Sequence, residues 1–422
     1  MAFRTGNHTI MDTRPAPPLQ TGQPLSAGRT AVFAASAGIL VLALFASQPL
    51  VGIIGPDLGL TPQLSGLTTT LTAVGYATGL VLLVPLSDVV ENRGLIVATL
   101  AADVLALAFL AAAPGAGSFL AGCFVVGIAT SAIQMLVPLA AILSPEASRG
   151  RTVGNVMSGQ MLGILLSRPA ASLITEVLGW RAVYGLLATS VAVLTLALAF
   201  LIPVRRPAGR TTYPRLIASL WAILRDEPVL RRRAASQALC MGAFGVFWTA
   251  IALRLAGPPF SLGQVGIALF AFAGAAGAVI APIAGRAGDR GLTRPATALA
   301  HGAVIAAMGL ACFGGMDAAG HRIASLVALL LAALLLDLGV VGEQALGRRA
   351  INLIRPEARG RINGLFTGLF FLGSAVGAMV SGPAWAAWGW GGICAIGAAF
   401  GLGAVGVSLA AERPRLRARR GP

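Results

Sequence analysis

The sequence predicts an all-α polytopic membrane protein whose twelve transmembrane helices form two pseudo-symmetric six-helix bundles. One observation is composition: 56% of the 422 residues are hydrophobic and only 11% are charged, about half the charge of a soluble protein. The apolar residues fall in runs near the ~20 residues that cross a bilayer. The other observation is an internal repeat that relates the two halves of the chain.

The repeat is clearest at 145–151 and 356–361, which both begin with Pro-Glu-Ala and end with Arg-Gly-Arg. An offset of 210 residues (359 − 149) aligns the two copies. The same offset aligns Gln134 with Gln344, Gly154 with Gly364, Leu162-Gly163 with Leu372-Gly373, and Gly179-Trp180 with Gly389-Trp390. One register kept over this length predicts two related halves in parallel order, an arrangement typical of certain transporters.

Twelve apolar runs supply the predicted helices, six on each side of an arginine-rich connector. They lie near 30–54, 65–87, 95–113, 118–143, 152–178, 181–203, 235–256, 262–285, 294–315, 323–346, 362–384 and 390–411. The first six form a bundle over 30–203, and the last six form a bundle over 235–411. The connector, 204–234, has apolar residues at helical spacing, which indicates a short amphipathic helix on the membrane surface. A plain flexible linker is the alternative.

The placement of arginine predicts the orientation in the membrane. All 31 basic residues are arginine, and the net charge of +16 would suggest a nucleic-acid partner in a soluble chain. Here 27 arginines lie in the tails and loops on one side, whereas three (Arg181, Arg254 and Arg322) lie on the other. The positive-inside rule therefore predicts that both termini are cytoplasmic in a cell inner-membrane protein, with no nucleic-acid partner. Residues 1–29 are predicted to form a disordered tail, and 412–422 a basic tail.

Two short turns between spans carry related acidic and basic residues. The turn after span eight contains Gly285, Asp289 and Arg290, and the turn after span two contains Asp88 and Arg93. With these turns, its two six-span halves and its basic central loop, the chain resembles the major facilitator superfamily over about residues 30–411. Within that superfamily the chain is similar to the proton-coupled efflux branch, which includes drug and sugar-efflux antiporters. The resemblance implies that these turns hold the halves together in one conformation; helix capping and topology-setting charge are the alternatives.

Several classes of protein chemistry have no motif in this sequence. A Walker-type motif needs lysine, and the chain has none, so ATP is not predicted as the energy source. The four cysteines lie in apolar spans without metal-ligand spacing, and we predict no metal, no cofactor and no enzyme activity. The predicted function is a secondary active transporter, working as a monomer in the bilayer, that exports a small organic solute in exchange for protons. Uptake of a small organic anion, a non-transporting solute sensor and an intramembrane enzyme are the alternatives.

Asp337 is the predicted site of proton coupling. Residues seven apart lie on nearly the same helix face, so Asp337 shares a face with Gln344, the repeat mate of Gln134 in span four. The family resemblance implies that spans one, four, seven and ten line the cavity. A carboxyl group that faces such a cavity can exchange a proton as its hydration changes. A structural hydrogen bond to a neighbouring helix is the alternative.

Candidate residues for the cavity wall accompany Asp337. Arg168 lies deep in span five and needs an anionic partner, a substrate anion or water, so it is predicted either to contact substrate or to form a fixed pair. Gln48 lies near the end of span one. Phe247 and Trp248 belong to an aromatic stripe in span seven, for which packing is the usual role and stacking on a substrate the alternative.

Three further ionisable residues lie within predicted spans. Asp103 is the second candidate for proton coupling, although a buried hydrogen bond to a neighbouring helix is favoured. Glu343 is predicted to have a structural role near the cytoplasmic end, where Arg348 and Arg349 are the candidate partners. His301 is predicted to have a structural role, since its span is peripheral in the family that the chain resembles.

Overall fold

The computed structural model describes residues 26–207, 212–316, 321–355 and 358–410. Residues 1–25 of the predicted N-terminal tail, the predicted C-terminal tail at 412–422, and Pro356-Glu357 of the second repeat copy lie outside these ranges. The described residues form helices and connecting turns, with no strand among them. This confirms the predicted all-α class.

The first half contains six spans. Its helices are α1 (Ala27–Phe45), α2 (Val51–Asp57), α3 (Leu67–Leu82), α4 (Asn92–Ala111), α5 (Ala116–Thr130), α6 (Ile133–Ile142), α7 (Glu146–Leu178) and α8 (Trp180–Leu201). Span one consists of α1 and α2 with a 3-10 turn at Gln48–Leu50 between them, and span four consists of α5 and α6. Span two is α3 continued by a 3-10 segment at Val84–Asp88.

The second half follows a connector helix and also contains six spans. The helices are α9 (Tyr213–Asp226, the connector), α10 (Pro228–Ala256), α11 (Gln264–Ala271), α12 (Ala276–Asp289), α13 (Thr293–Met316), α14 (Arg322–Asn352) and α15 (Arg359–Ala410). Span eight consists of α11 and α12 with a 3-10 segment, Phe272–Ala275, between them. The 52 residues of α15 contain spans eleven and twelve, which meet at Gly389, where the backbone leaves the helical region.

Counted by length and hydropathy, ten segments of the described chain can each cross a membrane. One of the ten is α15, which is long enough for two spans. The broken span eight falls outside that count because each of its pieces is short. The described helices therefore fit the twelve predicted spans.

Two pairs of glycines in the sequence repeat occupy equivalent structural positions in the two halves, where a larger residue would be strained or would not fit. Gly179 and Gly389 both have positive φ, 82° and 58°, at the tight junctions between spans five and six and between eleven and twelve. A Cβ atom on Gly163 would lie 2.2 Å from the carbonyl oxygen of Gly38, and one on Gly373 would lie 2.0 Å from that of Ala238. These glycines let α1 touch α7 and α10 touch α15 in the two halves.

The connector helix α9 packs on the protein, whereas the sequence predicts a helix on the membrane surface. Its apolar residues Leu216, Leu220 and Ile223 are buried, and α9 contacts both α10 and α15. Tyr213 Oη donates a hydrogen bond to the Leu82 carbonyl at 2.9 Å, and Ser219 Oγ accepts one from Arg361 at 2.8 Å. The helix thus binds to both halves, at the end that we call the arginine-rich end, where Asp88, Arg205, Asp289 and Arg361 lie.

Candidate functional site

Arg168 and Asp337 face each other across the interface between the two halves. Arg168 belongs to α7 and Asp337 to α14, and their exposed fractions are only 3% and 4%. A methyl group placed on Gly274 would lie 3.1 Å from Asp337 Oδ2 and 3.4 Å from Arg168 Nη1. Both groups therefore point at one spot beside the break in span eight. Opposite charges attract much more strongly there than they do in water.

Neighbouring side chains form a hydrogen bond with each of the two charged groups. Gln48 Oε1 accepts a hydrogen bond from Arg168 Nε at 2.9 Å, and Trp248 Nε1 donates one to Asp337 Oδ1 at 3.0 Å. The guanidinium carbon lies 4.1 Å from the ring centre of Trp248, 5.2 Å from that of Phe244 and 5.4 Å from that of Phe45. These cation–π contacts stabilise a charge that has left water. Trp248 contacts both charged residues and so links the two halves.

One hydrogen-bond donor of Arg168 has no acceptor in the part of the chain that the structure describes. Arg168 Nη2 is buried and has no hydrogen-bond partner among the described residues. A buried donor without an acceptor is unfavourable by about 1–3 kcal/mol. The site therefore offers a hydrogen bond to any acceptor that reaches it, such as an oxygen of a bound solute.

Breaks in two helices place residues beside the pair. Span one is interrupted at Gln48–Leu50 and span eight at Phe272–Ala275, which brings Gln48 and Gly274 to the same level. Arg168 lies ten residues before the end of α7 at Leu178, or about 15 Å along the helix. That is half of the ~30 Å hydrocarbon thickness of a bilayer. Irregular backbone at such depth is tolerated where protein or a cavity surrounds it.

A cavity of about 810 Å³ lies between the halves and opens at the arginine-rich end. Gln134 lies on its wall and donates a hydrogen bond from Nε2 to Tyr76 Oη at 3.2 Å. Arg348 and Arg361 also line it, whereas Arg168 and Asp337 do not, so in this conformation the charged pair lies beyond the cavity wall. The volume falls within the range of small-molecule sites.

The halves are in contact at the opposite end. A Cβ atom on Gly66 would lie 2.1 Å from the carbonyl oxygen of Ala378, and one on Gly382 would lie 2.4 Å from that of Gln63. Thr70 Oγ1 donates to the Ala375 carbonyl at 3.2 Å. The molecule is thus open at the arginine-rich end and closed at the other.

This architecture matches known proteins. The family profile of the Major Facilitator Superfamily matches residues 33–316, more than half of the chain. This chain belongs to the major facilitator superfamily. The uncharacterized transporter YgaY of Escherichia coli O157:H7 is 33% identical over 378 residues, which cover 90% of this chain and 94% of the relative.

Two further proteins resemble parts or the whole of the chain. The chloramphenicol resistance protein of Streptomyces lividans is 34% identical over 170 residues, which cover 39% of this chain and 41% of that protein. A crystal structure of the nucleoside transporter NupG has a TM-score of 0.69 at 13% identity and covers 90% of this chain and 98% of its own. The fold of this superfamily member and its nature as a membrane transporter are thereby confirmed.

Of the predicted cavity residues, Gln134 lines the cavity of this transporter, whereas the others do not: Gln48, Arg168, Phe247, Trp248 and Gln344. Phe247 is fully buried, with its ring centre 5.5 Å from that of Trp248 and 5.9 Å from that of Trp390, so it packs inside the second half. Gln344 is half-buried and does not line the cavity, unlike its repeat mate Gln134. The two halves are therefore related in fold but not in the polar lining of their shared cavity.

The predicted gating turns border the cavity mouth in this conformation. Asp88 and Asp289 both line it, and Asp289 Oδ1 accepts a hydrogen bond from Arg349 Nε at 2.8 Å within the second half. Arg290 is exposed, Arg93 is half-buried, and Gly285 has open space around its Cα.

Glu91, and not Asp88, caps the helix after the first turn. Its two carboxylate oxygens accept hydrogen bonds from the backbone nitrogens of Arg93 and Gly94 at 2.6 and 2.7 Å, at the start of α4. Burial alone would raise the pKa of Glu91, but these hydrogen bonds outweigh it and leave the pKa below the ordinary 4.5. In the first turn, the alternative role of helix capping therefore belongs to Glu91.

Glu343 has structural partners as predicted, but they are other residues than the candidates Arg348 and Arg349. Glu343 Oε1 accepts a hydrogen bond from Ser236 Oγ at 2.8 Å and lies 3.4 Å from Arg233 Nη1. Both partners belong to α10, and neither lines the central cavity.

Two other buried ionisable residues, His301 and Asp103, differ in whether they have a hydrogen-bond partner. His301 Nε2 lies 3.0 Å from Ser236 Oγ, which ties α13 to α10. Asp103 is fully buried in α4, and neither of its oxygens has a hydrogen-bond partner among the described residues. The favoured expectation of a hydrogen bond from Asp103 to a neighbouring helix is therefore not met.

Sequence reasoning missed three residues of the site: Phe45, Tyr76 and Gly274. Phe45 immediately precedes the break at Gln48–Leu50, and Gly274 lies in the break of span eight. A signal existed for both, because the polar Gln48-Pro49 and the small residues around Gly274 interrupt apolar helices. Tyr76 has no such signal, since one tyrosine in an apolar span resembles any other.

Proposed function

We propose that this protein is a secondary active transporter that exports a small organic solute across the inner membrane in exchange for protons. The observation that carries the proposal is the buried pair of Arg168 and Asp337 at the interface between the halves. Alternating access moves one half against the other, so a charge pair across that interface couples protonation to movement.

The pair acts as a lock on the empty transporter. With neither proton nor solute bound, the attraction between Arg168 and Asp337 opposes separation of α7 from α14. A proton on Asp337 removes one of the two charges, and a solute oxygen on Arg168 Nη2 supplies a replacement acceptor. Either ligand therefore weakens the attraction between the halves, because the proton removes the charge of Asp337 and the solute oxygen competes with Asp337 for Arg168. In an exchanger of solute for protons, the halves must move when either a proton or a solute is bound, but not when both are absent.

Charge distribution and similarity support the direction and orientation. The arginine excess at the open end favours a cytoplasmic location for that end and for both termini, which makes this conformation inward-open. Reporter fusions after Arg205 and after Pro114 test this orientation: an external signal at the first or an internal signal at the second contradicts it. The similarity to the Streptomyces lividans chloramphenicol resistance protein supports export of a small organic compound.

Uptake of a small organic anion is the second candidate function. The unpartnered Nη2 of the buried Arg168 favours it, because a carboxylate supplies both the missing acceptor and the missing charge. A gene-deletion strain distinguishes the candidates: loss of export raises the internal concentration of the solute, whereas loss of uptake lowers it.

Proton coupling is tested with purified protein in sealed liposomes. The probes are a panel of amphipathic compounds that begins with chloramphenicol, and a pH gradient drives accumulation. We expect Asp337→Asn to abolish gradient-driven accumulation while exchange of labelled solute down its own gradient survives. Asp103→Asn is the matched control, because it removes an equally buried carboxyl group from α4, outside the interface, and should leave accumulation intact. Accumulation by the Asp337→Asn protein would refute the proposal, and its loss in Asp103→Asn would move the coupling site to α4.

A further inference from the structure

A second pocket lies outside the central cavity, at the arginine-rich end, where α10, α13 and the end of α15 meet. Its volume is about 700 Å³. Three guanidinium groups, those of Arg232, Arg233 and Arg294, line it together with the hydroxyl groups of Thr297 and Ser408. A pocket with several hydrogen-bond donors and cationic groups suits an anion with several oxygens.

The acidic group that faces this pocket from the protein interior is already engaged. Glu343 is fully buried, and its Oε1 accepts from Ser236 and pairs with Arg233. His301 lies against the same serine. Arg232 has no ion pair among the described residues, and Arg233 also donates to Thr297 at 3.1 Å. Glu343 therefore does not neutralise Arg232, and this guanidinium group faces the pocket.

Apolar side chains lead away from the pocket along the outside of the protein. Leu299 on α13 is 75% exposed, and Leu402 and Leu409 on α15 are 60% and 58% exposed. In a protein that spans a membrane such residues contact acyl chains. The pocket is thus basic where it meets the headgroup region and borders apolar surface towards the bilayer core.

We propose that this pocket binds the headgroup of an anionic phospholipid from the leaflet at the arginine-rich end. Arg232 and Arg294 hold the phosphate, whose oxygens suit the planar, forked guanidinium. The acyl chains lie along the exposed faces of α13 and α15. Basic pockets between transmembrane helices recognise such headgroups, whereas zwitterionic lipids offer no net charge to hold. The site is separate from the transport pathway and does not depend on what the protein transports.

The test uses the full-length protein in detergent micelles with added phosphatidylglycerol or phosphatidylcholine, and native mass spectrometry counts the retained lipid. We expect phosphatidylglycerol to be retained in preference to phosphatidylcholine. The double substitution Arg232→Gln/Arg294→Gln should weaken that retention by roughly tenfold, since each basic residue contributes to attraction of an anionic lipid. Arg215→Gln is the matched control, because it removes an exposed arginine of α9 at the same end but outside the pocket.

A second variant guards against misfolding of the double substitution. Ala298→Phe fills the pocket without changing its charge and should also release the lipid. Unchanged affinity in both variants, or equal retention of phosphatidylcholine, would overturn the proposal. Displacement of phosphatidylglycerol by excess inorganic phosphate would also overturn it, because the pocket would then be a site for a soluble anion.

Discussion

The two ends of the interface between the halves are built from different chemistry. At the closed end, Gly66 and Gly382 let backbone touch backbone, and the hydroxyl group of Thr70 bonds a carbonyl group of the other half. At the arginine-rich end, Asp88 and Asp289 border a cavity of about 810 Å³. The contacts at the closed end are thus made by small, uncharged residues, whereas charged residues surround the open cavity at the other end.

This difference determines which movement of the two halves requires a ligand. Small residues come into contact without removing a charge from water, so the closed end can form by packing alone. Closing the arginine-rich end removes several charges from water, and this is favourable only where each charge finds a partner. We therefore expect the empty protein to favour the conformation that is open at the arginine-rich end.

The largest effect is expected at the closed end, from Gly66→Ala. The new Cβ would lie 2.1 Å from the Ala378 carbonyl oxygen, so the halves must separate there. Overpacking typically costs about 1–3 kcal/mol, which corresponds to a shift of roughly tenfold or more away from this conformation. Distances between spin labels on the loops at 112–115 and 257–260, one in each half, should lengthen, and transport should fall in proportion.

Two other glycines supply the controls for that substitution. Gly364 lies in the same interface near the arginine-rich end, where the nearest atom to an added Cβ is the Leu80 carbonyl oxygen at 3.9 Å. Gly154 has nothing within 4 Å. Alanine at either position should leave the label distances at the closed end unchanged. If Gly364→Ala lengthens them as much as Gly66→Ala does, the two ends do not differ in the way described.

A smaller effect is expected at the arginine-rich end, from Asp88→Asn. Asp88 lies at the cavity mouth, where Arg205 and Arg361 attract it. Exposed charge interactions contribute about 0.2–1 kcal/mol, so transport should fall by roughly two- to fivefold while membrane abundance stays normal. Asp226→Asn removes an exposed carboxylate from the end of α9 and should have no effect. Unchanged transport in Asp88→Asn would exclude a role for this turn in gating.

The same comparison explains which features could be predicted from the sequence. The fold was predictable because composition fixes the spans, and because glycine recurs wherever two helices touch, as at Gly163 and Gly373. The partner of Glu343 was not predictable. Spacing along one helix suggested Arg348 or Arg349, but Arg233 lies 110 residues earlier in the chain. Only packing of α10 against α14 brings that pair together.

The centre of the site was predictable residue by residue but not as an arrangement. A charged residue in an apolar span draws attention by itself, which is why Arg168 and Asp337 were both chosen. The two side chains meet beside Gly274 because spans one and eight are both broken. The sequence indicates where these breaks lie, but it does not show which residues they bring together. A charged residue in an apolar span does not always belong to such an arrangement. Asp103 is equally conspicuous in the sequence, yet its buried carboxyl group has no hydrogen-bond partner among the described residues.

The smallest effect is expected from Glu91→Gln, which tests whether acids at the arginine-rich end also stabilise individual helices. Because the pKa of Glu91 is below its ordinary 4.5, its charged form stabilises the folded protein above that pH. This contribution is lost as the pH falls through the pKa of the folded state. Glu91→Gln should therefore lower stability by about 0.3 kcal/mol at neutral pH, the low end for a charge at a helix N-terminus, because the glutamine oxygen can still accept a hydrogen bond. Thermal unfolding followed by tryptophan fluorescence should show the difference from the parent protein shrinking below about pH 4.5.

Glu146→Gln provides the comparison for this last substitution. Glu146 occupies the first turn of α7, but within the described part of the chain its side chain accepts no backbone hydrogen bond. Its removal should therefore change stability less than Glu91→Gln at neutral pH. Equal losses in the two variants would mean that the charge acts through the helix dipole alone. In that case the two backbone hydrogen bonds at the start of α4 would contribute nothing measurable.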